Sequence, residues 1–228
     1  MSSASKGQHP ATALVVGGTG LVGNALQHHL TPALFDPVWL LTRRPQPQHQ
    51  RHLHWVNTDF KTWPDASAMD LQGGTLFCAL GTTLKKAGSP DAFVALDRDL
   101  VVNTAHWARD LGVRKCLFVS SLGANPQSRQ LYLRTKGEAE QELIALGFDR
   151  LVIMRPSLLL GNREEFRLGE RLGAAFGAVI KPALSGPLLK YRPVAADQVA
   201  AAMVAAASSP GPAIDIWESE RISRFRSD

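Results

Sequence analysis

A chain of 228 residues, 45% hydrophobic and 20% charged, is long enough to bury one α/β core. No apolar run approaches the roughly 20 residues that span a bilayer, so a membrane-spanning protein is not expected. The net charge of +5 rests on arginines dispersed along the chain, not gathered in a stripe, which argues against a nucleic-acid partner.

Residues 1–10 (MSSASKGQHP) are polar and small. They lack the apolar stretch of a secretory signal and read as a flexible lead-in to one domain over 11–228. ATALVVG then predicts a strand, LVGNALQHHL a helix and DPVWLLT a second strand, before QPQHQRH, which reads as a solvated loop. TLFCAL, the long helical run DAFVALDRDLVVNTAHWARDLG and KCLFVSS continue the alternation, followed by a helix in LYLRTKGEAE and a strand in RLVIMRP that Pro156 stops. This βαβ rhythm predicts an α/β fold with a doubly wound parallel sheet. TLFCAL and KCLFVS are continuously apolar, as central strands covered on both faces should be. Cys78 and Cys116 lie in these two runs and read as small buried residues of a reducing cytoplasm, the expected location.

From 157 to 193 the pattern becomes Gly- and Pro-punctuated around one helical stretch, EEFRLGERLGAAFGAVI, and predicts a small substrate-capping region. ADQVAAAMVAAA is a helix on propensity. AIDIWES reads as a last short strand before the basic tail RISRFRSD.

Gly17, Gly20 and Gly23 follow the first strand directly. Glycines there permit a tight turn and the close approach of a pyrophosphate to a helix N-terminus. A dinucleotide site declares its cofactor at the end of the second strand, where an acidic residue suits the ribose of NAD and a basic one the 2′-phosphate of NADP. WLLT runs into Arg43 and Arg44 with no acid nearby, and a guanidinium fork suits a phosphate, so NADP(H) is the expected cofactor.

Tyr132 and Lys136 lie one helical turn apart. A phenol of pKa about 10 exchanges its proton poorly near neutrality, but a neighbouring ammonium stabilises the phenolate. With only two tyrosines in the chain, a Tyr-x-x-x-Lys match arises by chance at roughly 7%. Its place, at the head of a helix after a strand ending in Ser120 and Ser121, gives it weight. The clustered His49, His52 and His54 and the adjacent His28 and His29 lack paired ligand spacing with a third partner, so no metal is expected. No Gly-x-Ser-x-Gly elbow gives the serines a hydrolase context.

With these motifs in order, the chain resembles the short-chain dehydrogenase/reductase superfamily. More closely, Leu80-Gly81-Thr82-Thr83, Asp97-Arg98-Asp99, Ser120-Ser121-x-Gly123-Ala124 and Leu131-Tyr132-Leu133-x-x-Lys136-Gly137-Glu138 resemble the atypical branch holding the Tat-interactive tumour-suppressor oxidoreductase group. Arg155-Pro156, Leu159-Leu160 and Arg163 extend the likeness. The resemblance implies a Rossmann-like fold binding NADPH, with Tyr132 as proton donor and Lys136 on the nicotinamide ribose. By position, Thr19, Gly20, Leu21 and Val22 would cradle the pyrophosphate and Arg43 and Arg44 the adenosine phosphate. Leu80 and Gly81 would meet the adenosine-side ribose region, and Leu159 the nicotinamide face, with Arg167 a weaker candidate. A strand-end hydroxyl would polarise the substrate carbonyl, Ser121 before Ser120. Asp97 stands where many extended members have Asn, and it reads best as a carboxylate favouring the positive end of a helix dipole. The function expected is reduction of a small carbonyl substrate by NADPH. The alternatives are an NADPH-responsive regulator acting through a protein partner, and an epimerase or isomerase that retains its cofactor.

Overall fold

The computed structural model describes residues 10–48, 50–160 and 191–225. Among them, β1 (Ala11–Val16), β2 (Phe35–Thr42), β3 (Leu53–Asn57), β4 (Thr75–Cys78), β5 (Lys115–Val119), β6 (Arg150–Arg155) and a strand at Ile214–Glu218 form a seven-stranded sheet. Its order is β3-β2-β1-β4-β5-β6 and then Ile214–Glu218, every neighbouring pair parallel. Chain order reverses at β1, which lies between β2 and β4, and a crevice outside the carboxyl ends of the strands opens at such a switch point. The registers Val16↔Cys78 and Cys78↔Phe118 keep those ends level. TLFCAL and KCLFVS provide β4 and β5, in the middle of the sheet as expected.

Helices cover both faces. Alternate strand residues point to opposite sides, so Ala13, Val15, Phe77, Leu117 and Val152 pack with Val22 and Leu26 of α1 (Leu21–His29) and with Val199 and Met203 of the Ala196–Ser208 helix. Leu14, Val16, Cys78, Phe118 and Ile153 pack on the other side with Val101 and Ala105 of α4 (Leu100–Asp110) and Ala139 and Leu143 of α5 (Leu131–Ala145). Both faces of the inner strands are therefore apolar, which is why these runs show no polar alternation. Cys78 and Cys116 are free and buried, and burial pushes the Cys78 thiol up to about 11.

Three local expectations change. The helical run from Asp91 is not one uniform helix: α2 (Leu84–Ala87) and α3 (Pro90–Val94, capped by Ser89 Oγ accepting from the Ala92 N–H) lead into a π-helical turn at Ala95–Asp99 that passes directly into α4. The QPQHQRH loop is not wholly solvated, because His52 is buried with Nε2 2.8 Å from the Leu30 carbonyl. The tail is helical over Ser219–Arg224, held by Arg221 on Asp215 at 2.6 Å. A two-stranded parallel pair, β7 (Leu159–Leu160) and β8 (Val194–Ala195), stands at the edge of the expected capping region. The cap helix expected within 164–180, with Arg163, Arg167, Glu164 and Glu165, lies outside the described residues, as do residues 1–9 and His49.

Candidate active site

The turn after β1 is built on close approach. Gly17 has φ +78°, and a Cβ there would lie 2.5 Å from the Ala79 carbonyl oxygen at the end of β4. A Cβ at Gly23, within α1, would overlap the Gly17 carbonyl oxygen, so only glycine lets the helix sit down on its own loop. Gly20 is the N-cap of α1 with no side chain capping it, and the first turn holds no acid. The first N–H groups of a helix lack intrahelical partners and attract anions. Glycine cradle, uncapped nine-residue helix and absence of acid fit a pyrophosphate.

A cavity of about 370 Å³ opens at the carboxyl ends of β1, β4, β5 and β6. The sequence candidates Gly20, Leu21, Val22, Leu80, Gly81, Ser121, Tyr132, Lys136 and Leu159 all line it, from five separate stretches of chain. Gly17 and Gly23 do not line it; their close approaches shape the turn that carries Gly20. Thr19 lies to one side, on a second cavity of about 500 Å³ with Gln27, His28 and Trp55. Arg43 and Arg44 do not line the first cavity. They follow the end of β2, the strand beside β1, and both are exposed.

Tyr132 stands in the first turn of α5, 36% exposed, its ring 5.8 Å from that of Phe93 between centroids. Lys136, one turn on, is 3% exposed. Its ammonium lies 5.2 Å from the Phe118 ring centroid and 2.8 Å from Asp97 Oδ1. Asp97 is 0% exposed, and its Oδ2 accepts from the Thr82 N–H at 2.8 Å. The dipole reading of Asp97 is thereby corrected. It sits in the π turn between two helical stretches, not at a free N-terminus, and its charge is balanced by Lys136.

The strand-end serines both line this cavity and differ in their partners. Ser120 is buried and donates to Glu140 Oε1 of α5, whose carboxylate also takes the Arg155 guanidinium through Nε (3.0 Å) and Nη2 (2.5 Å). That carboxylate, ahead of the cost of burial, raises the Arg155 pKa. Ser121 is half-buried on the cavity wall, and among the described residues its hydroxyl makes only a 3.5 Å contact with the Leu122 carbonyl.

A doubly wound parallel sheet with a glycine loop entering a helix at its switch point is the architecture of a nicotinamide-dinucleotide-binding Rossmann protein. Residues 13–212 match the model of the NAD dependent epimerase/dehydratase family, and the chain belongs to that family. Protein FMP52, mitochondrial, of Eremothecium gossypii is 36% identical over 201 residues, 86% of this chain and 88% of that protein. Protein HTATIP2 of Rattus norvegicus is 40% identical over 167 residues, 71% of this chain and 68% of its own length, which bears out the resemblance to the Tat-interactive group.

Among solved structures, MoeE5 in complex with UDP-glucuronic acid and NAD superposes with a TM-score of 0.69 at 15% identity, over 90% of this chain and 75% of that one. The UDP-glucose 4-epimerase of Thermotoga maritima, with UDP-glucose, gives 0.64 at 16% identity, over 91% of this chain and 77% of that one. At such identities the likeness is one of fold. The cytoplasmic expectation is corrected, since FMP52 relatives from Eremothecium gossypii, Debaryomyces hansenii and Saccharomyces cerevisiae are named mitochondrial. No helix among the described residues is long and apolar enough to cross a membrane.

Proposed function

We propose that the protein is an NADPH-dependent oxidoreductase that reduces a small carbonyl compound. The observation that carries this reading is the convergence of Tyr132, Lys136 and the uncommitted Ser121 hydroxyl on the one cavity that the Gly20–Val22 turn also lines. The bound nicotinamide would supply the hydride. The Ser121 hydroxyl donates a hydrogen bond to the carbonyl oxygen and fixes its direction, and Tyr132 delivers the proton as that oxygen gains charge. Lys136 places a cation beside the phenol, and the glycine turn with the α1 N-terminus holds the pyrophosphate. Arg43 and Arg44 receive the 2′-phosphate of NADPH. Leu80 and Gly81 meet the adenosine-side ribose region, and Leu159 the nicotinamide face.

A retained-cofactor epimerase is the second reading, favoured by the family's description. Both readings use the nicotinamide and the Tyr132–Lys136 pair, and they part on whether the cofactor is oxidised on balance.

The test is NADPH oxidation followed by absorbance across a panel of aldehydes and ketones, for wild type and Tyr132→Phe. Wild type turns over at least one carbonyl, and loss of the phenol lowers kcat by about 10²-fold or more while NADPH affinity stays within a few-fold. Full turnover in Tyr132→Phe would sink the mechanism. Conversion of substrate with no net NADPH oxidation would favour the epimerase.

A further inference from the structure

We infer that the substrate is an oxo acid, a carbonyl compound with an apolar body and one carboxylate, and that Lys86 receives the carboxylate. The carbonyl half rests on the reductase reading; the acid half rests on the cavity wall alone. Among the described side chains lining the cavity of about 370 Å³, three are charged: Lys86, Asp97 and Lys136. Asp97 and Lys136 balance each other at 2.8 Å, so the lining charges sum to that of one ammonium. Glu140, which does not line the cavity, is engaged by Ser120 and Arg155. A single ammonium matches one negative charge, whereas a phosphate is better served by a guanidinium fork. The rest of the wall includes Val119, Pro156, Leu158 and Leu159, and Leu158 is 61% exposed, a surface that an apolar substrate body would cover.

Lys86 is carried on the wall that leads to Tyr132. The turn after β4 passes the proton-transfer pair, since a methyl group added at Gly81 would lie 3.7 Å from Lys136 Nζ. Thr83 then caps α2, its Oγ1 and its carbonyl accepting from the Lys86 N–H at 3.3 and 2.9 Å, which ties the Lys86 backbone to that turn. α2 packs on α3, whose Phe93 ring is the one 5.8 Å from Tyr132. The pyrophosphate cradle is built instead from the β1 turn and α1. Lys85 shares α2, its charge and its place near the helix C-terminus, which suits a cation, but it does not line the cavity. In the reaction the carbonyl carbon takes the hydride and its oxygen the Tyr132 proton, so an oxo acid becomes a hydroxy acid and NADPH becomes NADP+. The carboxylate is unchanged, and solvent returns the proton to the phenol.

The first measurement needs no turnover. With NADPH present, the protein is titrated calorimetrically with benzoate, hexanoate and octanoate and with their primary amides, which match them in size without the charge. At least one carboxylate should bind about tenfold more tightly than its amide, as expected of one charge-assisted hydrogen bond. That preference should be lost in Lys86→Gln and persist in Lys85→Gln. No preference in wild type, or equal loss in both variants, overturns the inference whether or not the protein is a reductase. NADPH weakened about tenfold in Lys86→Gln would give the ammonium to the cofactor and overturn it as well. The second measurement is reduction of oxo acids, para-carboxybenzaldehyde among them, against their methyl esters. The ratio of kcat/KM for acid over ester should fall about tenfold in Lys86→Gln, chiefly through KM, and be restored in part by Lys86→Arg. An unchanged ratio overturns the inference. A carboxylate preference in binding with no reduction of any pair overturns the reductase reading and leaves Lys86 as the carboxylate site.

Discussion

Ser120 and Ser121 are chain neighbours with opposite commitments. Both line the cavity, but Ser120 donates to Glu140 of α5, while the Ser121 hydroxyl has only a 3.5 Å contact with the Leu122 carbonyl among the described residues. Ser120→Ala should leave turnover within a few-fold but cost about 1–3 kcal/mol in denaturant unfolding, because a buried carboxylate loses a donor. Ser121→Ala should do the reverse, with stability near wild type and kcat/KM lowered about 10²-fold, the usual worth of one donor to a developing oxyanion. If both variants lost activity equally, the division of roles would fail. Helical spacing singled out Tyr132 and Lys136 in the sequence and the family resemblance singled out Ser121, and the structure brings all three to one cavity. The pairing of Asp97 was not legible. Its partner lies far downstream at Lys136, and only the packing of the π turn against α5 brings the two together. Read locally, a carboxylate beside Arg98 and Asp99 resembles any charged helix end.

At the scale of elements, β2 ends at the two arginines proposed to set the cofactor preference. The Thr42 hydroxyl donates to the Arg44 carbonyl at 3.0 Å and accepts from the Arg44 N–H at 3.3 Å, so the turn presenting the arginines is held by its own strand. Neither guanidinium meets a carboxylate within 4.0 Å among the described residues, and both are exposed beside the β1 turn. Free cations here cost no internal ion pair on binding phosphate. In a fluorescence titration, Arg43→Ala and Arg44→Ala should each weaken NADPH by about tenfold, near 1.4 kcal/mol, and leave NADH unchanged. NADH binding as tightly as NADPH to wild type would end the argument. The strand and helix succession around this point was readable from apolar runs and glycines. The division of the Asp91–Gly112 run was not, because Ser89 and Pro90 mark only where α3 begins, and a π turn leaves no mark in apolar periodicity.

For the whole molecule, the sheet's last strand is held by chemistry that composition concealed. Ile214–Glu218 pairs only with β6 among the described residues, and what closes that side is the Ser219–Arg224 helix, read from sequence as a tail. Asp215 ties them. Its carboxylate takes the Arg221 guanidinium at 2.6 Å and the Trp217 indole N–H at 2.9 Å, with Arg221 stacked 3.8 Å from the Trp217 ring centroid. Burial pushes the Asp215 pKa up, but the bonds from Arg221 and Trp217, with the charges of Arg221 and Arg150, outweigh it. The net shift is below the ordinary 3.8. A depressed carboxylate stabilises the fold fully above its unfolded pKa, and that contribution disappears as pH falls through the folded value. Asp215→Asn removes the titration. The gap in urea midpoint between wild type and Asp215→Asn should be widest near pH 7, hold down to about pH 4, and close as acidity increases further. A gap that persisted unchanged into strong acid would mean that the side chain's shape, not its charge, joins the last strand to the closing helix.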